Sequence, residues 1–270
     1  MIILGYHRVT PEQRGDLSVT IGQFRAQLQF LIQNGLPNLS LDAILGDSRL
    51  RCALTRGFAI TFDDGYRDNY LHALPVLQEL GLKATIFVTV DYVDREVLYP
   101  WDERQSRKRD DLCEEDFSVT WKHLVEMRDS GVFSIGSHTL SHPELTSVSI
   151  DVARHEITES KRVLENRLGG QVDLFCYPRG RMDRSTIPLV EEAGYKAAVV
   201  TPWDPIPISR FTLPRVVMAS NTTLASLRQR TGTFVQALLW TGLYPYAISV
   251  RSKVRKSNRR PPADETRLVS

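Results

Sequence analysis

Two adjacent carboxylates, Asp63 and Asp64, stand where the apolar run Gly57-Phe58-Ala59-Ile60 leads through Thr61-Phe62-Asp63-Asp64-Gly65-Tyr66 into a glycine. Neighbouring side chains of a strand point to opposite faces, so this pair can share a pocket only where the strand ends and turns. Like charges side by side repel, which raises one pKa unless a cation neutralises them. The pair therefore suits one Asp on a metal ion and the other beside it as a base. The plainer alternative is an acidic strand-to-loop turn, since Asp-Gly is ordinary turn chemistry. A second run, Ser137-His138-Thr139-Leu140-Ser141-His142-Pro143, sets two histidines four apart after another apolar segment. Imidazole is a common ligand of zinc and similar ions, and a helical backbone turn lets two at this spacing converge. Unlike the HExxH zinc helix, no Glu stands between them, so a base must come from elsewhere. Together the runs offer two histidines, one aspartate and a spare carboxylate.

Strand ends must bring these residues to one place. Apolar runs at 2–7, 58–62, 84–89, 133–136, 174–177, 197–201 and 213–218 predict strands, and helical spacing predicts helices over 22–34, 69–80, 120–130, 150–168, 184–193 and 224–230. Gly35, Gly81, Gly131, Gly169 and Gly194 follow five of those helices, as capping glycines do. Strands alternating with helices predict an α/β protein with parallel strands, and seven in one series favour a barrel. The polar stretch 94–118, with Pro100-Trp101-Asp102, reads as a long loop that is either functional or a solvated insertion.

The two chemical runs resemble the first two motifs of the polysaccharide deacetylases (NodB homology, carbohydrate esterase family 4). Phe175-Cys176-Tyr177-Pro178-Arg179-Gly180 resembles a variant of the third, and the likeness spans about residues 1–218. It implies a distorted (β/α) barrel of about seven parallel strands and a divalent metal, usually Zn2+ with Co2+ or Ni2+ possible. The reaction implied is hydrolysis of an N-acetyl group on an amino sugar. Carried over by motif, Asp64, His138 and His142 hold the metal, Asp63 is the base, and a backbone N–H near Tyr177 stabilises the oxyanion.

Three departures stand out. No histidine follows His155, so the late Leu-x-His acid is missing; Leu4-Gly5-Tyr6-His7-Arg8-Val9 resembles instead the branch with circularly permuted motif order, which implies that His7 is the general acid, the alternative being a structural histidine that caps a turn. The arginine that orients the base is absent from the third motif, its place assigned to Phe175, and Arg215 in Leu213-Pro214-Arg215 is the substitute, or else a solvated rim residue. Arg179 stands where an aromatic is usual and can meet substrate charge. Trp203 follows a strand end and either stacks on a sugar or anchors its loop. His72, His123 and His155 read as packing or surface residues.

A chain of 270 residues, 42% hydrophobic and 24% charged, with a net charge of +2, is ordinary globular protein. Seven Lys/Arg against two Asp/Glu in residues 251–270 leave the remainder slightly acidic, and no recognition motif accompanies that basic tail, which argues against nucleic-acid binding. The expected organisation is a catalytic domain over 1–220, an apolar helical segment over 221–250 and a basic tail over 251–270. The apolar stretch 234–250 with its basic flank either touches an anionic membrane surface or closes the barrel. Cys52, Cys113 and Cys176 form no CxxC pair, and no signal peptide is evident; both suggest a cytoplasmic protein, either free or peripheral at the membrane's inner face. The expected partner is an N-acetylated saccharide or lipid-linked sugar. Release of formyl or another small acyl group, and a silent saccharide-binding protein, are the rival readings.

Overall fold

The structure, a computed structural model, describes residues 1–42, 56–102, 112–202 and 207–241. Trp203, residues 242–250 and the basic tail 251–270 lie outside them. Among the described residues nine strands form: β1 (Ile2–Tyr6), β2 (Arg8–Thr10), β3 (Ser18–Thr20), β4 (Phe58–Phe62), β5 (Ala84–Val88), β6 (Phe133–Ser137), β7 (Leu174–Cys176), β8 (Ala197–Val200) and β9 (Leu213–Val217). Seven of them close a parallel barrel in the order β1-β4-β5-β6-β7-β8-β9, with β9 pairing back onto β1. All seven expected strands are in it. The short parallel pair β2–β3 is an addition, and three residues per strand are too few for a visible alternation.

Period-two alternation sorts the strand residues into two cores. Ile3, Ala59, Phe87, Leu174, Cys176, Val199 and Leu213 gather in a small cluster inside the barrel. Ile2, Leu4, Phe58, Ile60, Phe62, Ile86 and Phe175 join the larger shell beneath the helices. The interior is filled rather than open. At Gly136 a Cβ would lie 2.5 Å from the Phe87 ring, so the glycine leaves room for that side chain.

The helices are α1 (Ile21–Gln33), α2 (Leu74–Leu80), α3 (Trp121–Asp129), α4 (Ile150–Leu168), α5 (Thr186–Glu192), α6 (Leu224–Arg230) and α7 (Thr233–Trp240). Thr20, Thr120, Ser149 and Thr223 cap the starts of α1, α3, α4 and α6 through their hydroxyls. Gly81 and Gly169 end α2 and α4 in the left-handed conformation. The expected helix over 69–80 divides in two. Asn69–Ala73 is a π-helical turn, with Leu74 N–H donating to Asn69 O. Pro75 has no N–H and its ring would crowd an α-helical carbonyl four residues back, so the turn before it widens. At the opposite end of the barrel from the site, Trp240 of α7 donates its indole N–H to Met1 O at 2.7 Å and packs on both cores. Residues 233–240 thus pack against the barrel through Trp240. No helix among the described residues is long and apolar enough to cross a membrane.

Candidate active site

Five strands deliver side chains to the rim at their C-terminal ends, where parallel barrels carry their chemistry. Asp63 follows the inward-facing positions Ala59 and Thr61 of β4. His7 follows Ile3 and Gly5 of β1 in the same parity, and His138 follows Ser134 and Gly136 of β6. Cys176 and Arg215 face inward from β7 and β9. By alternation Asp64 would face outward. Its backbone instead takes a left-handed φ of 71°, and the turn brings its carboxylate to the two histidines.

The base candidate is clamped. Arg215 Nη1 donates to Asp63 Oδ1 at 2.6 Å and Nη2 to Oδ2 at 2.7 Å, with a further bond from Nη1 to Thr61 Oγ1 at 3.0 Å. Gly5 makes space for this guanidinium, since a Cβ there would lie 3.5 Å from Arg215 Cζ. Both partners are buried. Burial alone would raise the Asp63 carboxyl, but the Arg215 charge and its hydrogen bonds outweigh that and hold it well below the usual carboxylate range. Burial, followed by the charge on Asp63, pushes Asp64 the other way, well above that range.

His138 Nδ1 lies 2.8 Å from Cys176 O, and donating its proton there turns the Nε2 lone pair toward Asp64. His138 Nε2 and His142 Nε2 each stand 3.6 Å from Asp64 Oδ1. All three ligand atoms lie within 4.8 Å of one another. Ligands about 2.1 Å from an ion at tetrahedral angles are about 3.4 Å apart, so this set fits a divalent metal. Burial lowers His138 to about 4; burial and then the neighbouring His138 lower His142 to about 2. Both rings are therefore neutral and able to ligate at neutral pH. A second grouping, Asp63, His138 and Cys176, is equally compact, but Arg215 Nη2 sits 3.1 Å from Cys176 Sγ and already carries the positive charge there.

The backbone is strained around this point. Of five non-glycine residues with left-handed φ among those described, four are Asp64, Thr139, His142 and Arg179. Such conformations cost about 1–3 kcal/mol each and persist only where their surroundings enforce them.

His7 Nε2 lies 3.8 Å from Asp63 Oδ2, and the ring is largely buried, with its Nδ1 unpartnered. Burial lowers its pKa, against the raising effect of Asp63. Asn69, at the start of the π turn, holds the His7 carbonyl at 3.0 Å. Arg179 is exposed at the rim, and its charge bears on Asp64 and His142. Tyr177 departs from expectation. Its ring is fully buried beside Phe175 in the outer shell, and its N–H donates to Val199 O at 3.4 Å, so neither faces the site.

An aromatic wall was not anticipated as part of the site. Trp101 lies against the His142 ring at 4.4 Å and stacks on Tyr99 at 4.8 Å. Its indole donates to Tyr66 OH at 2.9 Å, which donates to Asp102 Oδ2 at 2.6 Å, while Tyr99 OH donates to Asp64 O. The only sequence signal was the Pro100-Trp101-Asp102 cluster within a long loop. His72 and His123 take packing roles, paired with Glu115 at 2.8 Å and stacked on Tyr70 at 4.2 Å.

Residues 52–198 match the family model described as polysaccharide deacetylase. The chain belongs to that family. It is 30% identical over 200 residues to YxkH of Bacillus subtilis, a protein of the polysaccharide deacetylase type, covering 74% of this chain and 63% of that one. It is 24% identical over 260 residues to the poly-beta-1,6-N-acetyl-D-glucosamine N-deacetylase of Escherichia coli, covering 85% and 38%. The chain thus spans less than two thirds of the length of these curated relatives. Among solved structures, the Streptococcus pyogenes deacetylase PplD in complex with acetate is similar with a TM-score of 0.68 at 26% identity, over 86% of this chain and 98% of that one.

In this member of the family the arginine-less position of the third motif needs correcting. Phe175 packs outward on Tyr195 and Tyr177, whereas Cys176 faces Asp63. The Cys176 Sγ is 3.6 Å from Asp63 Oδ1 and accepts from Arg215. Burial raises this thiol well above its ordinary pKa, so it is neutral and donates to the carboxylate. The assignment to Phe175 was one residue off, and in a strand one residue reverses the face.

Proposed function

We propose that this chain is a divalent-metal-dependent hydrolase that removes N-acetyl groups from an amino-sugar-containing poly- or oligosaccharide, or from its lipid-linked precursor. Asp64, His138 and His142 hold the ion, Zn2+ or in its place Co2+ or Ni2+. When bound, the ion supplies Lewis-acid polarisation of the acetyl carbonyl and acidifies water. The observation that carries this reading is the division between two adjacent carboxylates: Asp63 clamped by Arg215, Asp64 turned to two neutral histidines.

Asp63 orients the attacking water and accepts its proton as the oxygen bonds to the acetyl carbon. A carboxylate held this acidic does not keep a proton, and neutral His7, 3.8 Å away, is placed to receive it. Cleavage of the carbon–nitrogen bond then sends that proton from His7 to the departing amine, leaving acetate and a free amino sugar. Arg179, whose charge bears on Asp64 and His142, and the Trp101 ring, which lies against His142, are the side chains assigned to meet the saccharide. The test is acetate release from N-acetylglucosamine oligomers and lipid-linked sugars, after chelation and re-addition of zinc, cobalt or nickel. Metal-dependent acetate release supports the proposal. A metal-loaded protein that binds these saccharides and releases none points to a silent binding protein instead.

A further inference from the structure

The loop between the two histidines holds an improbable shape, and one buried side chain outside the metal set ties it down. Thr139 and His142 are both left-handed, with φ of 70° and 65°, and neither is a glycine. Glu156, buried on α4, meets this loop from behind. Its Oε2 accepts from Leu140 N and Ser141 N, both at 2.9 Å, and its Oε1 accepts from Ser141 Oγ at 2.6 Å. One turn further along the same helix face, Ser160 Oγ lies 2.8 Å from Ser137 Oγ, the residue before His138. Ser137 Oγ in turn accepts from Thr139 N, and Thr139 Oγ1 accepts from His142 N. Helix α4 therefore grips the histidine loop at both ends. Three donors converge on Glu156, and a carboxylate, which only accepts, satisfies all of them at once.

We propose that Glu156 is a positioning residue for the metal site: its carboxylate locks the 139–142 loop in the shape that aims His142 at Asp64. The assignment rests on reading Asp64, His138 and His142 as the metal-holding set. Outer partners of this kind fix ligand orientation, and their loss weakens metal binding about 10- to 100-fold.

The test reads metal binding rather than turnover. Wild type, E156Q and E156A are stripped with chelator and titrated with Zn2+ and Co2+. The visible bands of the cobalt-loaded forms are recorded beside the thermal midpoint of each stripped protein. E156A is expected to bind about 10- to 100-fold more weakly, with altered cobalt bands. E156Q is expected within about threefold of wild type, because an amide oxygen can accept both N–H bonds while its NH2 donates to Ser141 Oγ. If E156A does not fold, S141A removes one of the three bonds and carries the test, with weaker metal binding expected. Wild-type affinity and unchanged cobalt bands in E156A, or in S141A where E156A does not fold, overturn the role of Glu156 alone, whatever the midpoints. A wild-type chain that binds neither ion overturns the metal reading beneath it.

Discussion

Arg215 grips both carboxylate oxygens of Asp63, at 2.6 and 2.7 Å, from a strand 152 residues away. A paired, forked contact of this kind sets both the charge and the orientation of the carboxylate. Its removal leaves a buried charge without compensation. Arg215→Ala is expected to cost about 3–5 kcal/mol in urea unfolding and to abolish acetate release. Arg215→Lys keeps the charge but not the fork, and recovers stability more than turnover. An Arg215→Ala protein with wild-type stability would show the clamp to be incidental.

His7 stands beside Asp63, outside the group of Asp64, His138 and His142. His7→Ala is expected to lower kcat by about 10²- to 10⁴-fold with metal content unchanged. Loss of bound metal in that variant, measured by elemental analysis, would recast His7 as a ligand.

Burial keeps His138 neutral down to about pH 4, whereas in the unfolded chain it protonates near its ordinary value. The unfolded state therefore binds more protons between about pH 6.5 and 4, and stability falls as pH falls through that window. The slope from this residue is about 1.4 kcal/mol per pH unit. Chelator-treated protein should accordingly lose stability on acidification from pH 6.5 to 4, more steeply than a His138→Asn variant. Equal slopes for the two would remove His138 as the cause.

Trp240 joins α7 to the far end of the barrel through Met1. Trp240→Ala is expected to lower stability by about 2 kcal/mol, below the range for a fully buried tryptophan, and to leave kcat unchanged at temperatures where the protein is folded. A fall in kcat without a fall in stability would contradict a purely structural role.

Much of this architecture was legible in the chain. All seven barrel strands are short apolar runs, and Gly81 and Gly169 mark helix ends through the left-handed backbone they adopt. The candidate metal set was legible because its members lie in two compact runs. What escaped depends on three-dimensional proximity or on parity. Glu156 lies fourteen positions beyond His142 in an ordinary amphipathic helix, so nothing local marks it. Trp101 meets His142 in space although the two lie far apart in the chain, and no local pattern marks that contact. Cys176 and Phe175 were exchanged because the strand is three residues long and its alternation too brief to read. The π turn before Pro75 shows how one missing N–H alters an otherwise regular helical pattern.

The central claim is that two neighbouring aspartates divide base and ligand roles between them. Asp63→Asn and Asp64→Asn should be compared for bound metal and for acetate release from an N-acetylglucosamine oligomer under zinc or cobalt. The account predicts that Asp63→Asn retains metal and loses turnover, while Asp64→Asn loses both. Near-full acetate release by Asp63→Asn, or undiminished metal in Asp64→Asn, would contradict it.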